Sequence, residues 1–135
     1  RQMCIRDSPD RVGLTIGFVP ELSKKIYAGA DMFLMPSQSE PCGLAQMIAL
    51  RYGTIPIVRE TGGLRDSIHD AGDKNGNGFT FKSYNAHDML DAVVRARAYY
   101  DDKMKWGRLV NTALKQNFSW TKSAKDYIAL YNDIH

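Results

Sequence analysis

Glu40 and Gly43 stand three residues apart, where a short apolar run gives way to a helical pattern. Residues 36–53, PSQSEPCGLAQMIALRYG, therefore hold a carboxylate and a glycine at a strand-to-helix junction. Such a junction suits phosphate: the first N–H groups of a helix lack internal partners, and its dipole places positive potential there. With a helix starting near Cys42 and Gly43, those groups point beyond the end of the strand, and Gly43 lets an anion approach the backbone closely. Glu40 has no place in a pure anion site, so it implies a second, hydroxylated part of the ligand. A phosphorylated sugar has both parts. Simple capping by Glu40 is the bland alternative.

Two other loops fall at predicted strand ends, Gly17-Phe18 and the stretch from Thr61 through Gly62 and Gly63 to Leu64. In open α/β sheets ligands bind at that edge. Taken singly, Gly62-Gly63 reads equally as turn chemistry, and Phe18 as a core aromatic or a platform for a base. His69 and His87 have no second ligand at metal spacing and read as surface residues. Ser37 and Ser39 lack a G-x-S-x-G elbow. The chain contains neither G-x-x-x-x-G-K-[ST] nor G-x-G-x-x-G, which disfavours a P-loop ATPase or a simple dinucleotide dehydrogenase.

The elements that must position these residues follow from periodicity. Residues 11–16, RVGLTI, read as a strand, and Pro20 opens a helix. Met32–Met35 is a buried strand, followed by a helix with Leu44, Met47, Ile48 and Ala49 at helical spacing and Gln46 and Arg51 on other faces. Gly53 stops that helix. Residues 54–58 form a further strand, LRDSIHDA a short helix, GDKNGNG a surface loop and residues 79–81 an edge strand. Three helices close the chain, with Asn85, Asp101 or Asp102, and Ser119 or Thr121 as N-caps. Met89, Leu90, Val93, Val94 and Ala96 read as core, and Trp106 and Trp120 as anchors of the last helices. The order β-α-β-α-β-α-β predicts an α/β fold, a Rossmann-like parallel sheet with flanking helices. Four strands are fewer than the five or six of doubly wound domains, so the chain reads as the C-terminal part of one.

Composition narrows the class. With 135 residues, 44% hydrophobic and 24% charged, the chain supports one soluble domain. Its net charge of +3 and interleaved signs, as in Arg59-Glu60 and Arg65-Asp66, favour a solvated surface over a nucleic-acid face. No segment has the apolar length of a membrane span. Cys4 and Cys42 fit no metal motif, and a cytoplasmic location is expected. Residues 1–8, RQMCIRDS, look like an assembly junction, which leaves residues 9–135 as the domain.

The chain resembles the bacterial glycogen synthases and plant starch synthases, retaining glycosyltransferases of the two-domain GT-B architecture. The resemblance runs from about Arg11 to Tyr131. It rests on IGF at residues 16–18, on GADMFLMPSQSEPCGLAQMIALRYGTIPIVRETGGLRDSI at residues 29–68, and on FSW at residues 118–120. It implies most of the C-terminal, donor-binding domain of an enzyme that moves glucose from ADP-glucose to the 4-OH end of an α-1,4-glucan, with no cofactor and no metal. By motif, Glu40 would hold hydroxyls of the donor glucose, with Cys42 beside it. The backbone of Gly43, Leu44 and Ala45 would bind the distal phosphate, Gly17 would approach the phosphates, Phe18 would stack on adenine, and Gly62 and Gly63 would line the sugar-phosphate pocket.

Two positions depart from related retaining transferases. Ile48 stands where many carry a second Glu, which suits the glycogen synthase branch, and Ala45 replaces a frequent hydroxyl-bearing residue. The family's phosphate-neutralising Arg and Lys and its acceptor-binding domain lie outside these residues, so the fragment alone is expected to be inactive. The rival expectations are a non-catalytic nucleotide- or anion-binding module and another GT-B sugar-nucleotide enzyme. ADP-glucose is not separable from UDP-glucose by one Phe.

Overall fold

The computed structural model describes residues 10–134. The proposed junction at residues 1–8 lies outside the described residues. Pro20 opens the first helix, α1 (Pro20–Gly29), at its first turn. Strand β1 (Met32–Met35) follows, then α2 (Ala45–Tyr52), β2 (Ile55–Arg59), the single-turn α3 (Gly63–Ser67) and β3 (Phe79–Phe81). The chain ends in α4 (Ala86–Asp101), α5 (Lys103–Leu114) and α6 (Trp120–Ile134). Helix signals act where they were read. Gly53 ends α2 in the left-handed conformation, the Asn85 side chain accepts from the Asp88 N–H, and Asp102 accepts from the Met104 and Lys105 N–H groups.

The sheet is parallel, in the order β1-β2-β3, with Met32 opposite Ile55 and Ile57 opposite Phe79. In the middle strand Ile55, Pro56, Ile57 and Val58 are all buried. Neighbouring residues of a strand face opposite sides, so β2 is covered on both. Pro56 is tolerated there for a local reason. Ile55 donates its N–H to Asp31 on the β1 side, so position 56 faces the β3 side, where pairing begins only at Ile57 and Phe79. Helix α4 packs on β2 and β3, and α5 packs on α4, α2 and β2. The core joins Leu50, Ile55, Ile57, Val58, Leu64 and Phe79 to Ala92, Ala96, Leu109 and Ala113.

Several expectations fail. Residues 11–16 are not a strand: they run without ladder partners among the described residues, with Leu14 61% and Ile16 89% exposed. A strand exists through its neighbour, and alternation alone cannot supply one. Helix α3 ends at Ser67, because Ile68 turns to extended backbone and His69 accepts from Asn77 and Gly78 in the loop that returns to β3. In α4, Ala92 and Ala96 are buried and Met89 and Val93 pack against the core as expected, while Leu90 and Val94 are exposed. The two small buried residues let α4 approach the sheet closely, with Met89 and Val93 at the margin of the contact. Trp106 packs edge-on against Tyr100, but Trp120 is 86% exposed, and α6 buries none of its residues.

Two contacts hold the loops that follow the strands. The Gly63 N–H donates to the carbonyls of Glu40 and Pro41. At Gly62, φ is +46° and a Cβ would overlap the Glu40 carbonyl oxygen; at Gly63 it would overlap Cys42. At the far end of α3, Asp70 accepts from Arg95 Nη1 at 2.7 Å and from the Thr80 and Gly72 N–H groups at 3.0 and 3.1 Å. Burial pushes its carboxyl up, but these donors together outweigh burial and hold it below the usual carboxylate range.

Substituting Gly62→Ala is expected to destabilise the protein by about 2 kcal/mol or more, from backbone strain and the overlap with Glu40; urea unfolding measures this. The depressed Asp70 carboxyl contributes stability that is complete above about pH 4 and is lost as pH falls through its lowered folded value. Unfolding of Asp70→Asn should show a lower stability at neutral pH and a shallower loss between neutral pH and pH 3 than the unaltered chain.

Candidate functional site

The C-terminal ends of β1 and β2 lie side by side, because Met35 is in register with Val58. The two loops that leave them, residues 36–44 and 60–62, therefore emerge at one edge. Arg59, the last residue of β2, secures the first loop by donating from Nη1 to the Gln38 carbonyl at 2.8 Å and from Nε to the Lys82 carbonyl at 3.1 Å. The bonds from Gly63 to Glu40 and Pro41 then fasten the second loop to the first.

Helix α2 begins at Ala45, two to three residues later than its sequence pattern predicts, with Leu44 as N-cap. No side chain caps it. Its first backbone bond runs from the Ile48 N–H to Leu44, and the N–H groups of Ala45, Gln46 and Met47 have no acceptor among the described residues. Three donors and the positive end of the dipole thus face the edge where Glu40 sits. The Glu40 side chain is half-buried. Its carboxylate has no hydrogen bond or ion pair among the described residues, so it does not cap α2 and its oxygens remain available to a ligand.

Gly43 takes φ +72°, and a Cβ there would fall 2.5 Å from Gln46 Oε1. That contact exposes a residue the sequence pattern misassigned. The helical pattern sets Gln46 away from the apolar face of α2, yet it is fully buried with Ala49 and Leu50, while Leu44 is 66% and Ile48 41% exposed. Its Nε2 lies 3.1 Å from the Cys42 carbonyl, 2.9 Å from the Gly43 carbonyl and 3.1 Å from Ser67 Oγ. The amide orientation is chemically determined, since two of these partners are carbonyl oxygens that only accept. Among the described residues the buried Oε1 has no donor, at a cost of about 1–3 kcal/mol. The readable signal was its position, three and four residues after Gly43 and Cys42, from which a helical side chain can reach back to the preceding turn.

The structure brings together Glu40, Cys42, Gly43, Leu44, Ala45, Gly62 and Gly63. Cys42 is an exposed free thiol. Gly17 and Phe18 do not join the cluster: Phe18 is 94% exposed, and a Cβ at Gly17 would meet only Val19. Residues 10–19 have no paired strand among the described residues to aim them at this edge. A cavity of about 760 Å³ opens beside α2 and is lined by Leu44, Met47, Ile48, Arg51 and Phe118 among others, without Glu40 or the glycines. It touches the site only through Leu44. Among the described residues no group of three or more His, Cys, Asp or Glu could hold a metal ion, and no helix is long and apolar enough to cross a membrane.

The chain is similar over most of its length to known proteins. The glycogen synthase of Anoxybacillus flavithermus is 55% identical over 128 residues, covering 93% of this chain and 26% of that protein. The glycogen synthase of Desulforudis audaxviator is 52% identical over the same length. This chain thus spans about a quarter of the length of these relatives. Among solved structures, the catalytic domain of starch synthase IV from Arabidopsis thaliana, bound to ADP and acarbose, superposes with a TM-score of 0.83 at 45% identity. It covers 94% of this chain and 27% of that one. A sucrose-phosphate synthase from Thermosynechococcus elongatus, at 22% identity and a TM-score of 0.68, shares the fold. The parallel sheet with its helices is that of a GT-B glycosyltransferase domain. Since the profile described as glycosyl transferases group 1 matches residues 11–108, most of the chain and both loops of the site, the chain belongs to the group 1 glycosyltransferase family.

Proposed function

We propose that this chain is the donor-binding part, residues 9–135, of a glycogen or starch synthase that transfers glucose from ADP-glucose to the non-reducing end of an α-1,4-glucan with retention. The observation that carries the reading is the pairing of an unengaged Glu40 carboxylate with the uncapped N-terminus of α2 on one sheet edge. The ADP in the starch synthase neighbour supports it.

In this reading the distal phosphate of the donor lies against the N–H groups of Leu44 and Ala45, next to Gly43. Charge develops on that phosphate as the glycosidic bond breaks. Fixed N–H dipoles and the end of the helix stabilise that charge without reorganising, so they favour the transition state over the ground state. Glu40 accepts from hydroxyls of the donor glucose and orients the ring, so that C1 faces the incoming 4-OH. Retention follows from attack on the face that the diphosphate leaves, with a phosphate oxygen taking the acceptor proton. No protein nucleophile is required. Gly62 and Gly63 let the second loop sit directly against the first, and the pair lines the sugar-phosphate pocket. Phe18 stacks on adenine and Gly17 approaches the phosphates once the segment before α1 is placed against this edge. A cytoplasmic location fits a soluble donor and glucan.

The experiment is turnover of ADP-glucose and UDP-glucose onto glycogen by the full-length protein. ADP-glucose is expected to be the donor used. Glu40→Ala should lower kcat/KM by about a hundredfold or more, as expected for lost positioning at the reacting centre, while ADP alone, which lacks the glucose, binds as before. Absence of turnover with both donors, or full activity in Glu40→Ala, would overturn the reading.

A further inference from the structure

We propose that Gln46 is the positioning residue of the phosphate-binding turn, acting with Ser67 as a brace that fixes the spacing between the two loops of the site. The inference rests on the donor-site reading above. Nothing in that reading uses the Gln46 side chain, which is fully buried. Its Nε2 is shared among the carbonyls of Cys42 and Gly43 and the hydroxyl of Ser67. Ser67 passes the connection on. Its single hydroxyl proton goes to the Gly63 carbonyl at 2.6 Å, leaving a lone pair for Gln46. Ser67 is itself held from below, because its carbonyl accepts from the fully buried Asn77.

The geometry makes this more than core packing. A peptide plane is rigid, so bonds to the Cys42 and Gly43 carbonyls set the tilt of the next N–H groups, those of Gly43 and Leu44. Leu44 and Ala45 follow directly, and these are the groups assigned to the distal phosphate. The same amide, through Ser67, reaches Gly63, whose N–H returns to Glu40 and Pro41. One side chain thus ties the phosphate turn, the glycine pair and the backbone of Glu40 into a closed circuit. The unpartnered Oε1 is consistent with a side chain retained for its donors. Any side chain at position 43 would strike it, which gives Gly43 a second reason to be glycine.

The test compares the full-length protein with Gln46→Met, which keeps volume and removes the donors, and with Ser67→Ala, which removes the hydroxyl that joins Gln46 to Gly63 and leaves the bonds to the Cys42 and Gly43 carbonyls. The measurements are ADP affinity by calorimetry, kcat with the KM values for ADP-glucose and for glycogen, and melting temperature. The expected result is an ADP Kd and donor KM raised about tenfold in Gln46→Met, from misaligned phosphate contacts, with glycogen KM unchanged and a smaller shift of the same kind in Ser67→Ala. A role in folding alone would reduce the active fraction, lowering kcat with both KM values unchanged. That pattern, or an unaltered ADP Kd in both variants, overturns the proposal. If the unaltered protein binds ADP but transfers no glucose, the synthase reading fails and the ADP Kd still decides the role of Gln46. If it binds no ADP, both readings fall.

Discussion

The site depends on a backbone-to-backbone approach between two loops that are far apart along the chain. Gly62 and Gly63 lie against the peptide units of Glu40, Pro41 and Cys42 so closely that neither position has room for a Cβ. Main-chain contact of this kind is stiffer than contact through flexible side chains, since it has no rotamers to adjust. It places a carboxylate, an uncapped helix start and a glycine pair within one edge of the sheet. Parallel pairing of β1 and β2 makes this possible by bringing both strand ends out on the same side.

The polar interior around this edge follows the same economy. Arg59, Gln46, Ser67 and Asn77 all spend their hydrogen bonds on main-chain groups of the loops or on each other. Loops cannot satisfy their own peptide groups as helices and strands do, so buried loop carbonyls need donors from side chains. In return the loops hold one shape before any ligand arrives. Such pre-organisation matters for phosphoryl and glycosyl chemistry, where the contribution of fixed dipoles depends on their not having to move. The Glu40 carboxylate stands apart from this network, unengaged among the described residues.

The periphery is organised differently. Leu14, Ile16 and Phe18 before α1, and Trp120, Tyr131 and Ile134 in α6, expose large apolar surfaces. The packed unit runs from β1 to α5, with β2 covered on both faces. The family match to residues 11–108 encloses most of that packed unit. The match also takes in the exposed residues before α1, Leu14, Ile16 and Phe18 among them.

The amino-acid pattern alone determined the alternation of strands and helices after residue 20, the parallel sheet, the caps at Asn85 and Asp102, the stop at Gly53 and the candidate residues Glu40, Gly43, Gly62 and Gly63. These are local properties: backbone freedom, capping and short-range periodicity act within a few residues and leave a direct trace in the order of residue types. Tertiary structure decided the rest. Whether residues 11–16 become a strand depends on a neighbour, and whether Ala92 or Leu90 faces the core depends on how closely α4 approaches the sheet. Gln46 reads as a surface residue of an amphipathic helix until the loop at residues 42–43 and Ser67 are folded over it. Its burial is a consequence of partners that lie 21 residues apart in the chain, and no periodicity within one helix encodes a hydrogen bond across that distance.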